Sequence, residues 1–212
     1  MNILRPIMNL YQDPDKIEDI SDIINSDEIK NKHIEIKQEE TINISDIDFA
    51  TCVFNDCNME QSNIEGVSFL DVVFNKCNFS NTSFNKCSFI RCEFNNCKLI
   101  GSSFIENRLY NVIINGSNAN YLNMASNNIE NVKFNDISLK NSYFQDSKLK
   151  NVYFEKAILS QAQFFKTSLK NIDLSKSLIE GISISLDDIK GAIINQLQTL
   201  DLAYLLGVKV EK

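Results

Sequence analysis

From Ile44 to Ile194 every fifth residue of the chain is apolar, without exception over 31 positions. The run includes Phe69, Phe74, Phe79, Phe84, Phe89, Phe94, Leu99 and Phe104, and it keeps one phase to Ile189 and Ile194. Thirteen of the 14 Phe residues fall in this register, and only Phe165 lies off it. A helix repeats its apolar face about every 3.6 residues, and a half-buried strand every second residue. A step of five fits neither. It predicts short extended segments, with the backbone turning a corner after each large side chain. Two residues before each large one runs a second column of small or modest side chains. It reads Cys52, Cys57, Ser62, Val67, Val72, Cys77, Thr82, Cys87, Cys92, Cys97 and Ser102, and departs from this at Asn107, Asn127 and Asp187.

Units such as Cys87-Ser88-Phe89-Ile90-Arg91 and Cys77-Asn78-Phe79-Ser80-Asn81 resemble the pentapeptide-repeat family. Its consensus is a small residue, a polar residue, Leu or Phe, then two polar residues. The resemblance covers about three quarters of the chain. It implies an all-β fold: a right-handed quadrilateral parallel β-helix, with five residues to a side and twenty to a coil. About eight coils are expected over residues 42–194. One unit cannot bury its large side chain alone, so stacked neighbours must supply the core. Coils rising ~4.8 Å each would give a column of roughly 37 Å. Residues twenty apart then stack: Phe54, Phe74 and Phe94 in one pile, and Phe84, Phe104, Phe144 and Phe164 in another, with Met124 between. These inward groups are the expected structural core, which should be packed rather than a pore.

The same geometry explains the cysteines. All six fall in the small-residue column, where a free thiol behaves as a small buried hydrophobe. The rival reading, a metal or redox pair at Cys92 and Cys97, is disfavoured because a five-residue step places them on adjacent sides. Asn55, Asn75, Asn95, Asn115 and Asn135, and separately Asn111, Asn131, Asn151 and Asn171, recur at intervals of twenty. Stacked amides stabilise parallel in-register strands, so these columns are read first as ladders and second as a recognition surface. Asn107 and Asn127 are expected to bond turn backbone, as buried amides do.

An open end of a β-helix exposes unpaired edges and must be capped. At the C-terminus, Asn195 is placed to cap a helix from about Gln196 to Leu206, stopped by Gly207. Leu197, Leu200, Leu202, Leu205 and Leu206 are too many for one apolar stripe, so a second subunit is expected against them. Val208 begins a short terminal strand, Val208-Lys209-Val210. The tail from Gly191 through Val208 resembles the C-terminal cap of the quinolone-resistance (Qnr) subfamily. That resemblance implies a symmetric homodimer, with residues 195–212 as the dimerisation cap. Residues 1–41 are read as an N-terminal extension and cap. A helix would start near Asp13-Pro14, with Ile17, Ile20, Ile23 and Ile24 as its stripe. His33 to Lys37 alternates like a half-exposed strand, with Ile34 and Ile36 near the first coil. The alternative is an acidic tail without fixed structure.

Composition narrows the chemistry. The net charge is −7, but residues 1–45 carry ten acids and five bases, whereas residues 46–185 carry fourteen and thirteen. Nothing forms a basic patch for phosphates, so direct nucleic-acid binding is not expected. No apolar run reaches the ~18 residues of a membrane span, and a cytoplasmic protein with no membrane association is expected. His33 is the single histidine, and no phosphate loop, metal-ligand spacing or nucleophile elbow occurs. A regular column also lacks an enclosed apolar pocket. No enzyme, cofactor or metal site is expected. The Qnr resemblance implies a DNA-mimicking interactor or protector of DNA gyrase or topoisomerase IV. The alternative is an interaction scaffold with a different cellular protein, for which Tyr110, Tyr121, Tyr143, Tyr153 and Phe165 are candidate contacts.

Overall fold

The computed structural model describes residues 3–8, 15–37 and 41–208. It is a parallel β-solenoid of about seven turns with a short C-terminal helix. Strands stack in register at an interval of twenty: Phe54 on Phe74, Phe74 on Phe94, Phe94 on Ile114, Ile114 on Phe134 and Phe134 on Phe154. Each coil has four sides. Side 1 carries Phe49, side 2 Phe54, side 3 Met59 and side 4 Ile64, each continued by the residues twenty further on. Four eight-residue strands, Ser88–Asn95, Arg108–Asn115, Asn128–Asn135 and Lys148–Glu155, run from side 1 around the corner into side 2.

Most corners share one backbone solution. Among the described residues, every one with positive φ except Gly207 lies two places after a large inward position, from Asn31 to Gly191. Left-handed backbone costs an ordinary residue roughly 1–2 kcal/mol. Asn and Asp tolerate it best after Gly, and they fill 13 of the 24 non-glycine corners. Gly66 and Gly116 mark corners with a further restriction, since an added Cβ would lie 2.7 and 2.5 Å from the side-chain oxygens of Asp46 and Asn96.

Of the 31 large apolar positions, 28 are buried, and Leu149, Ile189 and Ile194 pack partly buried against the same core. Phe54–Phe74 and Phe74–Phe94 ring centroids are 4.9 and 4.5 Å apart; Phe84–Phe104 and Phe144–Phe164 are 4.5 and 4.8 Å apart. Rings on adjacent sides meet edge to face, as Phe74 does with Phe79 at 82°. The void between Ile44 and Phe84 is only about 10 Å³ and lined by apolar side chains, which offer a water no hydrogen-bond partners. The interior is packed.

The N-terminal segment departs from the expected helical cap. Glu28–Lys30 pairs with Asp48–Ala50, and His33–Ile34 with Val53–Phe54, both at the interval of twenty. The solenoid register therefore starts near residue 28, not at 42, with Ile29 and Ile34 in the inward column. The sequence pattern hid this because Glu39 breaks the fivefold run. Lys16–Ile17 pairs outside His33–Ile34, and among the described residues of this segment helix is one turn, Ser21–Ile24. Ile17 and Ile23 are buried in the end of the column, whereas Ile24 is 52% exposed. The helix start at Asp13-Pro14 lies outside the described residues. Residues 3–8 do not cover the end at all. They run along the outside of the column at the corner between sides 1 and 2.

The C-terminal cap follows its sequence signals. The Asn195 side chain accepts from the N–H groups of Leu197 and Gln198 at 2.9 and 3.0 Å, and Gln198 Oε1 accepts from Asn195 N–H at 2.8 Å. This reciprocal pair is a capping box. The α-helix Gln198–Leu202 tightens to a 3-10 turn at Ala203–Leu206 and ends at Gly207 with φ 70°. The strand expected from Val208 onward lies mostly outside the described residues, and Val208 is itself in no strand.

Candidate functional site

Two kinds of surface are available, the sides of the column and its C-terminal end. The sides are nearly neutral. Outward charges on residues 46–185 are three acids and five bases on side 1, and five and four on side 2. Sides 3 and 4 carry two and two, and four and two. Many are paired along the column, as in Lys150–Glu130 at 2.6 Å and Lys133–Glu155 at 2.5 Å. The outward Asn residues form real ladders: Asn75 Nδ2 donates to Asn55 Oδ1 at 2.9 Å, Asn95 to Asn75 at 3.2 Å, and Asn135 to Asn115 at 2.6 Å. That ladder sits on side 2, one residue before the corner. Asn151 donates to Asn131 at 2.9 Å in the corner column itself.

The aromatic residues singled out from sequence do not form one patch. Tyr110 lies on side 1 beneath the Arg108 guanidinium at 5.7 Å, and Tyr153 on side 2 borders a shallow groove with Glu155, Asp173 and Lys176. Tyr121 is at a side-3 corner; Tyr143 and Phe165 are on side 4. Period five assigns each residue to a side, and counting in twenties would have separated them. Tyr121, Phe165 and Tyr143 are the exposed ones, at 56%, 43% and 37%.

The C-terminal end is the most apolar exposed surface. Leu202 and Leu205 turn toward Ile189, Ala192 and Ile194 and line an open groove of about 490 Å³. Leu197, Leu200, Leu206 and Val208 are 78%, 62%, 73% and 52% exposed, with Leu206 on the rim of that groove. The five leucines thus divide into a set that docks the cap and a set that the chain leaves uncovered. Tyr204 donates its hydroxyl to the Ile182 carbonyl, and Gln198 donates to the carbonyls of Leu174 and Ser177 at 2.8 and 2.7 Å, so this cap is bonded to the last coils.

The reactive side chains are occupied with structure. All six cysteines are buried and free. Each donates its thiol to the carbonyl of the large residue on the preceding side one coil back, as Cys92 does to Phe69 at 3.3 Å and Cys57 to Ile34 at 3.2 Å. Burial pushes the Cys92 thiol up to about 12 and Cys87 up to about 11. Cys77, hydrogen-bonded between Cys57 and Cys97 in the stack, is also raised. Among the described residues no cluster of His, Cys, Asp and Glu could hold a metal ion. No helix among them is long and apolar enough to cross a membrane.

Fold and surfaces together define a repeat-built rod, a class of structure suited to binding rather than to enclosing a substrate. Models of the pentapeptide repeats match residues 52–89, and of the pentapeptide repeat region residues 87–164, so that together they span just over half of the chain. The chain belongs to the pentapeptide-repeat family. A search of curated protein sequences gives no match. Among solved structures it is similar to HetL, a pentapeptide repeat protein involved in heterocyst differentiation regulation from the cyanobacterium Nostoc sp. strain PCC 7120. The TM-score is 0.62 at 11% identity, over 80% of this chain and 83% of that one. A trypsin-treated variant of QnrB1, a plasmid-mediated fluoroquinolone resistance protein, aligns over 93% of this chain and 95% of its own at 20% identity, with a TM-score of 0.41. The HetL likeness is one of fold, and the family's fold supports a binding role.

Proposed function

We propose that this protein is a dimeric, non-enzymatic binding rod whose partner is a type II DNA topoisomerase, DNA gyrase or topoisomerase IV. The observation that carries the reading is the C-terminal cap. Its sequence from Gly191 to Val208 resembles the Qnr tail, and its geometry leaves Leu197, Leu200, Leu206 and Val208 uncovered at the end of the column. A tail-to-tail homodimer would bury these leucines and double the length of the rod. The weak charge of the sides limits how far the rod can imitate DNA, because a surface replacing a duplex should present many negative charges to a basic saddle. Side 4, with four acids and two bases, is the most acidic. Recognition would therefore draw on its exposed Tyr143 and Phe165 as well as on charge.

The balance of charge favours a second reading, an interaction scaffold for another cellular protein. A supercoiling assay with purified gyrase, with and without a fluoroquinolone, separates the two. Under the first reading, micromolar protein changes supercoiling or relieves the drug's inhibition. No effect at that concentration leaves the scaffold reading alone.

A further inference from the structure

Residues 3–8 lie on the outside of the column, bound to a corner row rather than to the core. Ile7 N–H donates to Asp71 Oδ1 at 2.9 Å, and Leu4 N–H to Asn111 Oδ1 at 3.5 Å. Between them the Arg5 guanidinium faces Glu93 at 3.6 Å. Asp71, Arg91 and Asn111 are successive corner residues of three stacked coils, so the segment runs along the column axis, its N-terminus toward the C-terminal coils. The receiving side is more buried than the segment it receives. Asp71 is fixed by a bidentate ion pair, with Arg91 Nε and Nη2 each 2.6 Å from its two oxygens. The Asp71 and Glu93 side chains are only 9% and 15% exposed, against 75% for Arg5.

The segment itself contributes little to the fold. Leu4 and Ile7 are 50% and 57% exposed, and none of residues 3–8 belongs to the buried core cluster. Its hold is two side-chain acceptors and one carboxylate spaced to meet an extended backbone. Pro6 favours that extended form by fixing its own φ and restricting Arg5. Beside it runs a shallow polar groove lined by Arg5, Glu93, Asn95, Ile113, Asn115 and Lys133 among others. A corner that captures the chain's own extended peptide through side-chain oxygens, without burying it, has the chemistry of a peptide-docking site already occupied.

We propose that the Asp71–Glu93–Asn111 corner is an interaction surface for an extended peptide of apolar–cationic–proline–apolar pattern, and that residues 3–8 are its resident, displaceable occupant. A partner presenting such a segment competes with the strap. This rests on the binding reading above but not on the identity of the topoisomerase, so the supercoiling assay and the test below can fail separately.

The test uses the full chain and a fluorescently labelled synthetic peptide of the sequence Ile3–Met8. The double variant Arg5→Glu/Ile7→Pro reverses the charge facing Glu93 and removes the N–H that Asp71 accepts, while leaving the corner untouched. It should bind one peptide per chain in a polarisation titration, with the unaltered chain at least about tenfold weaker because its own strap is tethered at high effective concentration. Adding Glu93→Lys to the double variant should abolish binding. Circular dichroism and thermal unfolding confirm that each variant is folded. Equal binding by the unaltered chain and the strap variant, no binding by the strap variant, or binding that survives Glu93→Lys overturns the proposal.

Discussion

At the scale of single residues, the small column two places before each large side chain solves a hydrogen-bonding problem as well as a packing one. At most positions where that column carries a polar side chain, it donates to the carbonyl of a large residue one coil back, and chemically different groups do so. Thr82 donates to the Met59 carbonyl at 2.5 Å, Ser102 to Phe79 at 2.7 Å, Asn127 to Phe104 at 2.7 Å and Cys97 to Phe74 at 3.5 Å. Asn107 does two jobs: Nδ2 donates to Phe84 at 3.0 Å, and Oδ1 accepts from Cys87 N–H at 2.6 Å. Asn107→Ala should cost about 2–4 kcal/mol in urea unfolding, since two buried backbone groups lose their partners. Asn107→Ser should recover at least half, because Ser147 and Thr167 perform both jobs in the same column. The thiols add a pH dependence. Burial holds the folded pKa values of Cys52, Cys87 and Cys92 above the ordinary 9.0, reaching about 11 for Cys87 and about 12 for Cys92. Below pH 9 both states hold the proton and nothing is lost; above it the unfolded chain releases protons that the folded one keeps. Stability should fall as pH rises from 9 toward 12, and a thiol reagent at pH 8 should label the native protein only on unfolding.

At the scale of elements, the C-terminal helix is held by side chains that the helical pattern alone would not single out. Gln198 is 4% exposed, closes the capping box with Asn195, and donates to two carbonyls of the last coils. Gln198→Ala should loosen the cap by about 1–3 kcal/mol. Hydrogen exchange would show this as lost protection confined to residues 198–206, with the amide of Phe134 in mid-column unchanged, since stability in stacked repeats is local. Faster exchange throughout the column would show instead that the cap holds the whole stack. The second-last side before the cap also departs from strand. Asp187 breaks the small column because Leu186–Ile189 forms a helical turn capped by Ser185, whose hydroxyl accepts from Asp188 N–H at 3.1 Å.

At the scale of the whole molecule, the two ends are closed differently. The N-terminal end is filled by Ile17, Ile23 and Ile36 from the chain itself. The C-terminal end keeps an apolar rim, and the proposed dimer follows from that asymmetry. Leu200→Lys/Leu206→Lys, at 62% and 73% exposed positions, should convert a dimer to a monomer in light scattering without loss of fold. Leu202 and Leu205 are left unchanged in this test, because they are partly buried and pack against the core of the column. A monomeric unaltered chain at micromolar concentration would sink the dimer.

The fivefold step by itself determined the inward Phe column and the buried cysteines; the family resemblance added the twenty-residue coil, and helix-capping signals placed the Asn195 cap. A period is a local property, and the core it specifies is built from residues a fixed distance apart. Tertiary structure alone decided the rest. Glu39 interrupts the pattern, so only strand pairing reveals that Ile29 and Ile34 belong to the column. Ile17 and Ile24 share an apolar stripe in the sequence, yet one fills the column end and the other faces outward. The strap at Asp71 and Asn111 joins residues 64 and 107 places apart. No period connects such distant positions; they meet because stacking carries every corner of the column to one line in space.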